Sequence, residues 1–353
     1  MTAIKASVRA YENWLRAEIG PDFIDADLDE KHRKMRASPF AFLRATYWRW
    51  AETILEICPA LSNAPQILAI GDTHLENFGT WRDSEGRLIW GANDFDDSAI
   101  MPYPLDLVRL AASALLARDS DDPSTGDICD AILAGYAEGL SDPAPVVLER
   151  DFKWLRRAVL LPEPERAAFW NKFDLTKGAV IPTRYERALR TAMPAPDVSL
   201  IMAPRTAGTG SLGRPRFVAR SEWKGGPVLR EAKALVISAW SLRFAPDTTV
   251  ILASAIATGR CRAPDPHYCV SDGLVVRRLS PNSRKLEVKD AAAELMLPDM
   301  LRLMGREIAN CHADDPGQVS ALRSDLLSRD QDWLPDAAKA AARFITSEHA
   351  EFA

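Results

Sequence analysis

The chain has 353 residues, 47% of them hydrophobic and 26% charged, with 44 basic against 49 acidic side chains and a formal net charge of −5. That length exceeds the usual size of one compact core, so more than one lobe is expected, and no apolar run approaches the roughly 18 residues of a membrane span. The interspersed, slightly acidic charge lacks the one-signed field that nucleic-acid backbones demand, so neither nucleic acid nor membrane is an expected partner.

The opening "MTAIKASVRAYENWLRAEIG" is charged throughout and has no apolar centre, which argues against an export signal and for the cytoplasm. Five scattered cysteines without a CxxC pair argue for reduced thiols and against a disulfide framework or zinc ribbon. The first sixty residues read as helical. "YENWLRAEI" has helical spacing, and "SPFAFLRATYWRWAETILEI" opens with Ser38 as N-cap and Pro39 at the first helical position. Its aromatic group at 47–50 reads as core. The period then changes: "QILAI" and "RLIWGA" are short apolar runs that predict two strands around the loop "GDTHLENFGTWRDSEG". Helical spacing returns in "PLDLVRLAASALLARD" and runs to about residue 192. "AMPAPD" marks a boundary, followed by "VSLIM", the glycine-rich "AGTGSLG", "PRFVAR", "PVLREAKALVI" and "GLVVRRLSP", a series of strand signals. From about 290 the chain is helical again, with Pro298 as a break. The expected fold class is α+β: a mostly helical part over 1–195, a β-rich part over 196–285 and C-terminal helices over 286–353 that pack back on the first part.

The chemistry concentrates after the first strand. Asp72 and Asn77 stand in one loop, and Asp94 follows the next strand in "GANDFDD". A carboxylate able to take a hydroxyl proton, an amide oxygen and a second carboxylate suit Mg²⁺, a hard ion that leaves some of its positions to water and phosphate. This is the equipment of phosphoryl transfer, with kinase spacing. The bland alternative is a set of Asx turn caps, with Asp96 and Asp97 decorating the loop. His74 has no metal-spaced partner and reads as a structural hydrogen bond. Asp106 and Arg109, three apart on a helix, read as orienting groups that pair with each other or with the loop. "GTGSLG", Gly208 to Gly213, fits G-x-G-x-x-G, a pattern shared by dinucleotide folds, kinase phosphate loops and plain turns. The following "RPRFVARSEW" lacks the helix that a dinucleotide site needs and predicts a hairpin, whose backbone N–H groups can approach phosphate closely.

In order, "SPFAFLRA", "IGDTHLENFG", "NDFDDS", "LDLVRLAAS", "GTGSLG", "VLREA", "VVRRL" and "IANCHA" resemble the motifs of bacterial domain-of-unknown-function family 2252, itself similar to aminoglycoside and choline-type phosphotransferases. The resemblance spans about 30–320. It implies a two-lobed, protein-kinase-like fold with ATP and Mg²⁺ as cofactors and a small-molecule hydroxyl as acceptor. Asp72 is then the catalytic base, Asn77 and Asp94 the metal ligands, and Gly208, Gly210, Ser211 and Gly213 the loop over ATP. Arg230 in "VLREA" takes the place of the kinase lysine, with Lys233 as fallback on the opposite strand face. The catalytic loop precedes the nucleotide lobe here, and "LMGREIANCHA" at 303–313, which resembles the helix that leads into such a loop, lies near the chain's end; a circular permutation accounts for both. No Glu occurs between Glu231 and Glu287, so the usual partner of the lysine is missing. That gap and Arg230 motivate one alternative, a nucleotide-binding regulator. A second alternative is a metal-dependent hydrolase using Asp72, His74, Asp94 and Asp96.

Overall fold

A computed structural model describes residues 2–174 and 178–353. Helix α1 (Ile4–Ile19) buries Ile4, Val8, Tyr11, Leu15 and Ile19, the stripe of an amphipathic helix, and α2 (Ala26–Met35) follows after a turn. The single helix expected from Ser38 is in fact two. Ser38 Oγ accepts the Ala41 amide at 3.1 Å and starts α3 (Pro39–Ala45). Thr46, however, donates its hydroxyl back to the Phe42 carbonyl at 2.7 Å, leaves helical geometry, and lets the chain restart as α4 (Tyr47–Ile57).

Strands β1 (Gln66–Ala69), β2 (Phe78–Arg82), β3 (Leu88–Ala92) and β4 (Ala99–Pro102) come next. The loop expected between the first two strands is shorter than read, because Phe78–Arg82 pairs antiparallel with β3 while β1 pairs with β4. Two ladders therefore flank one polar turn. Helix α5 (Pro104–Ala117) is buried along nearly its whole length, and α6 (Thr125–Ser141) starts at a Ser124–Asp127 capping box. The short β5 (Val146–Val147) adds to β3. Then come α7 (Lys153–Val159), α8 (Glu163–Lys172) and α9 (Thr183–Thr191).

The β-rich stretch forms one antiparallel sheet of β6 (Ile201–Pro204), β7 (Arg216–Trp223), β8 (Gly226–Ala234), β9 (Cys269–Ser271) and β10 (Leu274–Leu279), in the order β6-β7-β8-β10-β9. Helices α10 (Ala239–Phe244) and α11 (Ala253–Ala257) fall between β8 and β9. After α12 (Val288–Leu295) the chain breaks before Pro298, which opens α13 (Pro298–His312) as its first residue. Helices α14 (Pro316–Ser328) and α15 (Trp333–Phe352) complete it. Helix α13 packs on α6, and α15 on α5. The architecture is α+β, as read. Among the described residues, no helix is long and apolar enough to cross a membrane.

Candidate functional site

Residues 70–77 turn sharply out of β1. Gly71 has φ +92°, and a Cβ there would lie 2.1 Å from the Asp97 carbonyl oxygen, so only glycine fits. Asp106, in the first turn of α5, holds this turn. Its carboxylate accepts the Ile70 and Gly71 amides at 2.8 and 2.9 Å, and His312 Nε2 at the end of α13 lies 3.0 Å from the same group. One turn further along α5, Arg109 Nε donates to Asp72 Oδ1 at 2.7 Å, and a second guanidinium nitrogen reaches the same oxygen. Both bonds fall on Oδ1, which leaves Oδ2 for the cavity. Burial raises the Asp72 carboxyl above its ordinary range, and Arg109 opposes that rise.

His74 Nδ1 accepts the Glu76 amide at 3.1 Å, the local structural role expected of it. Burial, then Arg44 and Arg109, hold the ring well below its usual pKa, hence neutral. Asn77 donates Nδ2 to the backbone carbonyls of Asp72 and Asp94 at 2.9 and 3.1 Å, tying the two loops together. Its Oδ1 is buried and has no partner among the described residues. Asp94 meets Lys233 at 3.6 Å and Lys285 at 3.8 Å. Burial alone would raise Asp94; Lys233 and Lys285 overcome it and hold the carboxyl well below the ordinary carboxylate range.

Asp72, Asn77 and Asp94 share one cavity of about 530 Å³ with Gly208, Gly210 and Ser211 of the turn between β6 and β7. Gly213 is not in the cavity wall. It has φ +91°, and it anchors the far end of the turn to the first helices through Ile24 N–H to its carbonyl at 3.2 Å and through its own N–H to Asp27 at 3.4 Å.

Arg230, too, is an expected site residue that lies away from the cavity wall. It is buried behind the sheet, donating Nε to Ala192 O at 3.0 Å and Nη1 to Leu229 O at 2.9 Å. Strand alternation explains this: β8 turns Glu231 and Lys233 to the cavity side and Arg230 away from it. Lys233 Nζ bonds Asp96 at 2.5 Å. The nearest carboxylate to this cation is therefore the third residue of "DFD", with Asp94 beyond it at 3.6 Å.

Sequence reasoning also passed over the roof. Arg205 at the end of β6, Arg216 on β7 and Arg277 on β10 all pair with Glu231 on β8, which is 0% exposed. Arg216 and Arg277 reach it at 2.9 and 2.8 Å. The register that sets Arg216 beside Lys233, and Val218 and Arg277 beside Glu231, puts them on one face. Burial, then the like charges of Arg277 and Arg216, push Arg205 down to about 9, still charged at neutral pH. Beyond the cluster the sheet face is closed by Phe173, which packs with Val218 and Leu229. At the opposite wall Tyr11 and Trp48 stack at 4.3 Å. Lys31 Nζ sits 4.7 Å from the Trp48 ring, fully buried and without a hydrogen-bond partner among the described residues. Burial pushes it down to about 8.

Residues 24–149 match the model of a family described as an uncharacterized protein conserved in bacteria, DUF2252. No curated protein and no solved structure matches the chain. The matched stretch contains Asp72, Asn77, Asp94, Asp106 and Arg109 and ends before the glycine turn. Neither finding extends to phosphotransferases.

The donor set itself bears on the metal chemistry. Among the described residues, no three His, Cys, Asp or Glu side chains are grouped to hold a metal, which takes support from a hydrolase built on Asp72, His74, Asp94 and Asp96. One carboxylate and one unpartnered amide oxygen do fit a hard ion that takes its remaining ligands from water and phosphate.

Proposed function

We propose that the protein is an ATP- and magnesium-dependent phosphotransferase acting on a hydroxyl of a small molecule, on a two-lobed, kinase-like plan with circularly permuted order. The observation that carries the reading is that the Asp72–Asn77–Asp94 set and the glycine turn, more than a hundred positions apart, line one cavity. The permuted order draws support from His312: it ends α13 yet touches Asp106, 206 positions earlier, where Asp106 holds the turn after β1.

In this mechanism Asp72 Oδ2 accepts the proton of the acceptor hydroxyl as its oxygen attacks the γ-phosphorus. The bond from that phosphorus to the β–γ bridging oxygen breaks, and ADP leaves. Arg109 fixes the angle of Asp72 and keeps its pKa from rising further with burial. Lys233, itself held by Asp96, places positive charge over the transferred group. Magnesium, when bound, neutralises phosphate charge; Asn77 Oδ1 and Asp94 would hold it. The regulator alternative rested on Arg230 and the missing glutamate, and Lys233 with Asp96 supplies both charges, so less supports it.

The test joins calorimetric titration of Mg²⁺ and a non-hydrolysable ATP analogue with a screen of a metabolite pool for label taken from γ-labelled ATP. Asp72→Asn is expected to bind the analogue like the parent while turnover falls about 10²–10⁴-fold. No analogue binding, or transfer indifferent to Asp72→Asn, overturns the reading.

A further inference from the structure

Around the cavity, most cations have a carboxylate partner. Arg44 pairs with Glu76 at 2.6 Å, Arg214 with Asp96 at 3.3 Å, Arg278 with Asp265 at 3.2 Å, and Arg262 with Glu307. Arg109 pairs with Asp72, Lys233 adds to Arg214 on Asp96, and Lys233 and Lys285 share Asp94. The roof breaks the pattern. Arg205, Arg216 and Arg277 converge on Glu231 alone, and Arg205 Nε is a buried donor with no partner among the described residues. All three arginines line the cavity. Among the described residues these three guanidinium groups outnumber their paired carboxylate by two, and the excess charge faces the cavity, where an anion can offset it.

The same surface is a poor seat for a nucleobase. The middle of the sheet face, where a flat apolar ring would need aliphatic side chains, carries Glu231 and Arg277 side by side. The end beyond it is filled by Phe173, with Val218 and Leu229 packed against it. Aromatic faces stand instead in the cavity walls, among them Phe169 and Phe173, 5.0 Å apart, and the stacked Tyr11 and Trp48 opposite. Stacking on such a pair is tolerant of base identity, because every base has a π-face.

We infer that the arginine cluster Arg205–Arg216–Arg277 is a polyphosphate grip, and that the donor is recognised by its phosphate chain with little regard to its base. This rests on the donor reading above and specifies it. The guanidinium forks supply several parallel N–H donors to phosphate oxygens, and the occupant supplies the missing negative charge. ATP, GTP and inorganic tripolyphosphate are then ligands of one class, and nucleosides without phosphate are not.

Calorimetry of the full chain with Mg²⁺ and, in turn, non-hydrolysable ATP and GTP analogues, inorganic tripolyphosphate and adenosine tests this. Tripolyphosphate and both analogues are expected to bind within about tenfold of one another, adenosine to show no binding, and Arg277→Gln or Arg205→Gln to weaken every phosphate ligand about tenfold. The parent series needs no variant, so a variant that fails to fold leaves the test intact. An ATP analogue bound more than about a hundredfold tighter than GTP or tripolyphosphate, or adenosine that competes, overturns the inference, while phosphoryl transfer from ATP in that case leaves the transferase reading standing. Base-indifferent binding without transfer to any acceptor supports the grip and removes the transferase. No binding of any triphosphate removes both.

Discussion

On the floor of the cavity Asp72, Asp94 and Asp96 each meet at least one cation, Arg109 on Asp72 and Lys233, Lys285 and Arg214 on the other two, whereas in the roof three arginines share Glu231 alone. The floor is also tied to the deepest part of the fold. Asp106, Arg109, Ser113 and His312 are all completely buried and hold residues 70–75 through backbone amides and side chains. The roof hangs from sheet strands and from one anchored glycine. A floor whose carboxylates Asp72, Asp94 and Asp96 already have partners is preorganised for chemistry, since these groups need not move when substrate arrives. An unbalanced roof is preorganised for capture.

Three experiments break or sharpen this contrast. Asp106→Ala strips the Ile70 and Gly71 amides and His312 of their common acceptor deep in the floor, and is expected to cost about 3–5 kcal/mol in urea unfolding. A loss below about 1 kcal/mol would show that the floor is not held this way. Glu231→Gln acts in the roof, where it removes the shared anion; the expected loss is about 2 kcal/mol, and added sulfate should restore more stability to this variant than to the parent. Equal responses to sulfate would contradict an anion-seeking roof.

The smallest effect belongs to Lys31, a lone buried ammonium at the wall. Its folded pKa of about 8 lies below the ordinary 10.5. Between those values the unfolded chain binds more protons than the folded one, so stability rises with pH across that window. The displacement corresponds to about 3 kcal/mol, which the Trp48 and Tyr11 faces offset in part. Lys31→Met should therefore stabilise the protein by about 1–2 kcal/mol near neutral pH, with its advantage in Tm shrinking as pH rises from 8 toward 10.5. A pH-independent difference would place the ammonium in contact with water or an anion.

What could be read in advance was local. Ser38 and Pro39 start a helix by their own chemistry, and Asp72, Asn77 and Asp94 are brought together by a strand pair only a few residues long. Thr46 defeated the reading of one continuous helix because a hydroxyl that turns back on its own carbonyl leaves no mark in an apolar period. The lysine question shows the limit more sharply. Alternation along β8 puts Arg230 and Lys233 on opposite faces, but both faces carry charge, so only the packing of the sheet decides which one turns toward Asp94 and Asp96. The Glu231 cluster was invisible for a related reason: its members come from three other stretches of chain, and strand pairing alone makes them neighbours.

The tether at Gly213 has one more consequence. The Ile24 amide, far along the chain from Asp72, donates to the carbonyl that ends the glycine turn. Whatever stills that turn from inside must also slow hydrogen exchange at Ile24. By thermodynamic reciprocity, loosening the stretch between α1 and α2 must weaken an occupant of the cavity. The first helices are in this sense a remote handle on the ligand, and deuterium uptake at a single backbone position becomes a gauge of whether the cavity is filled.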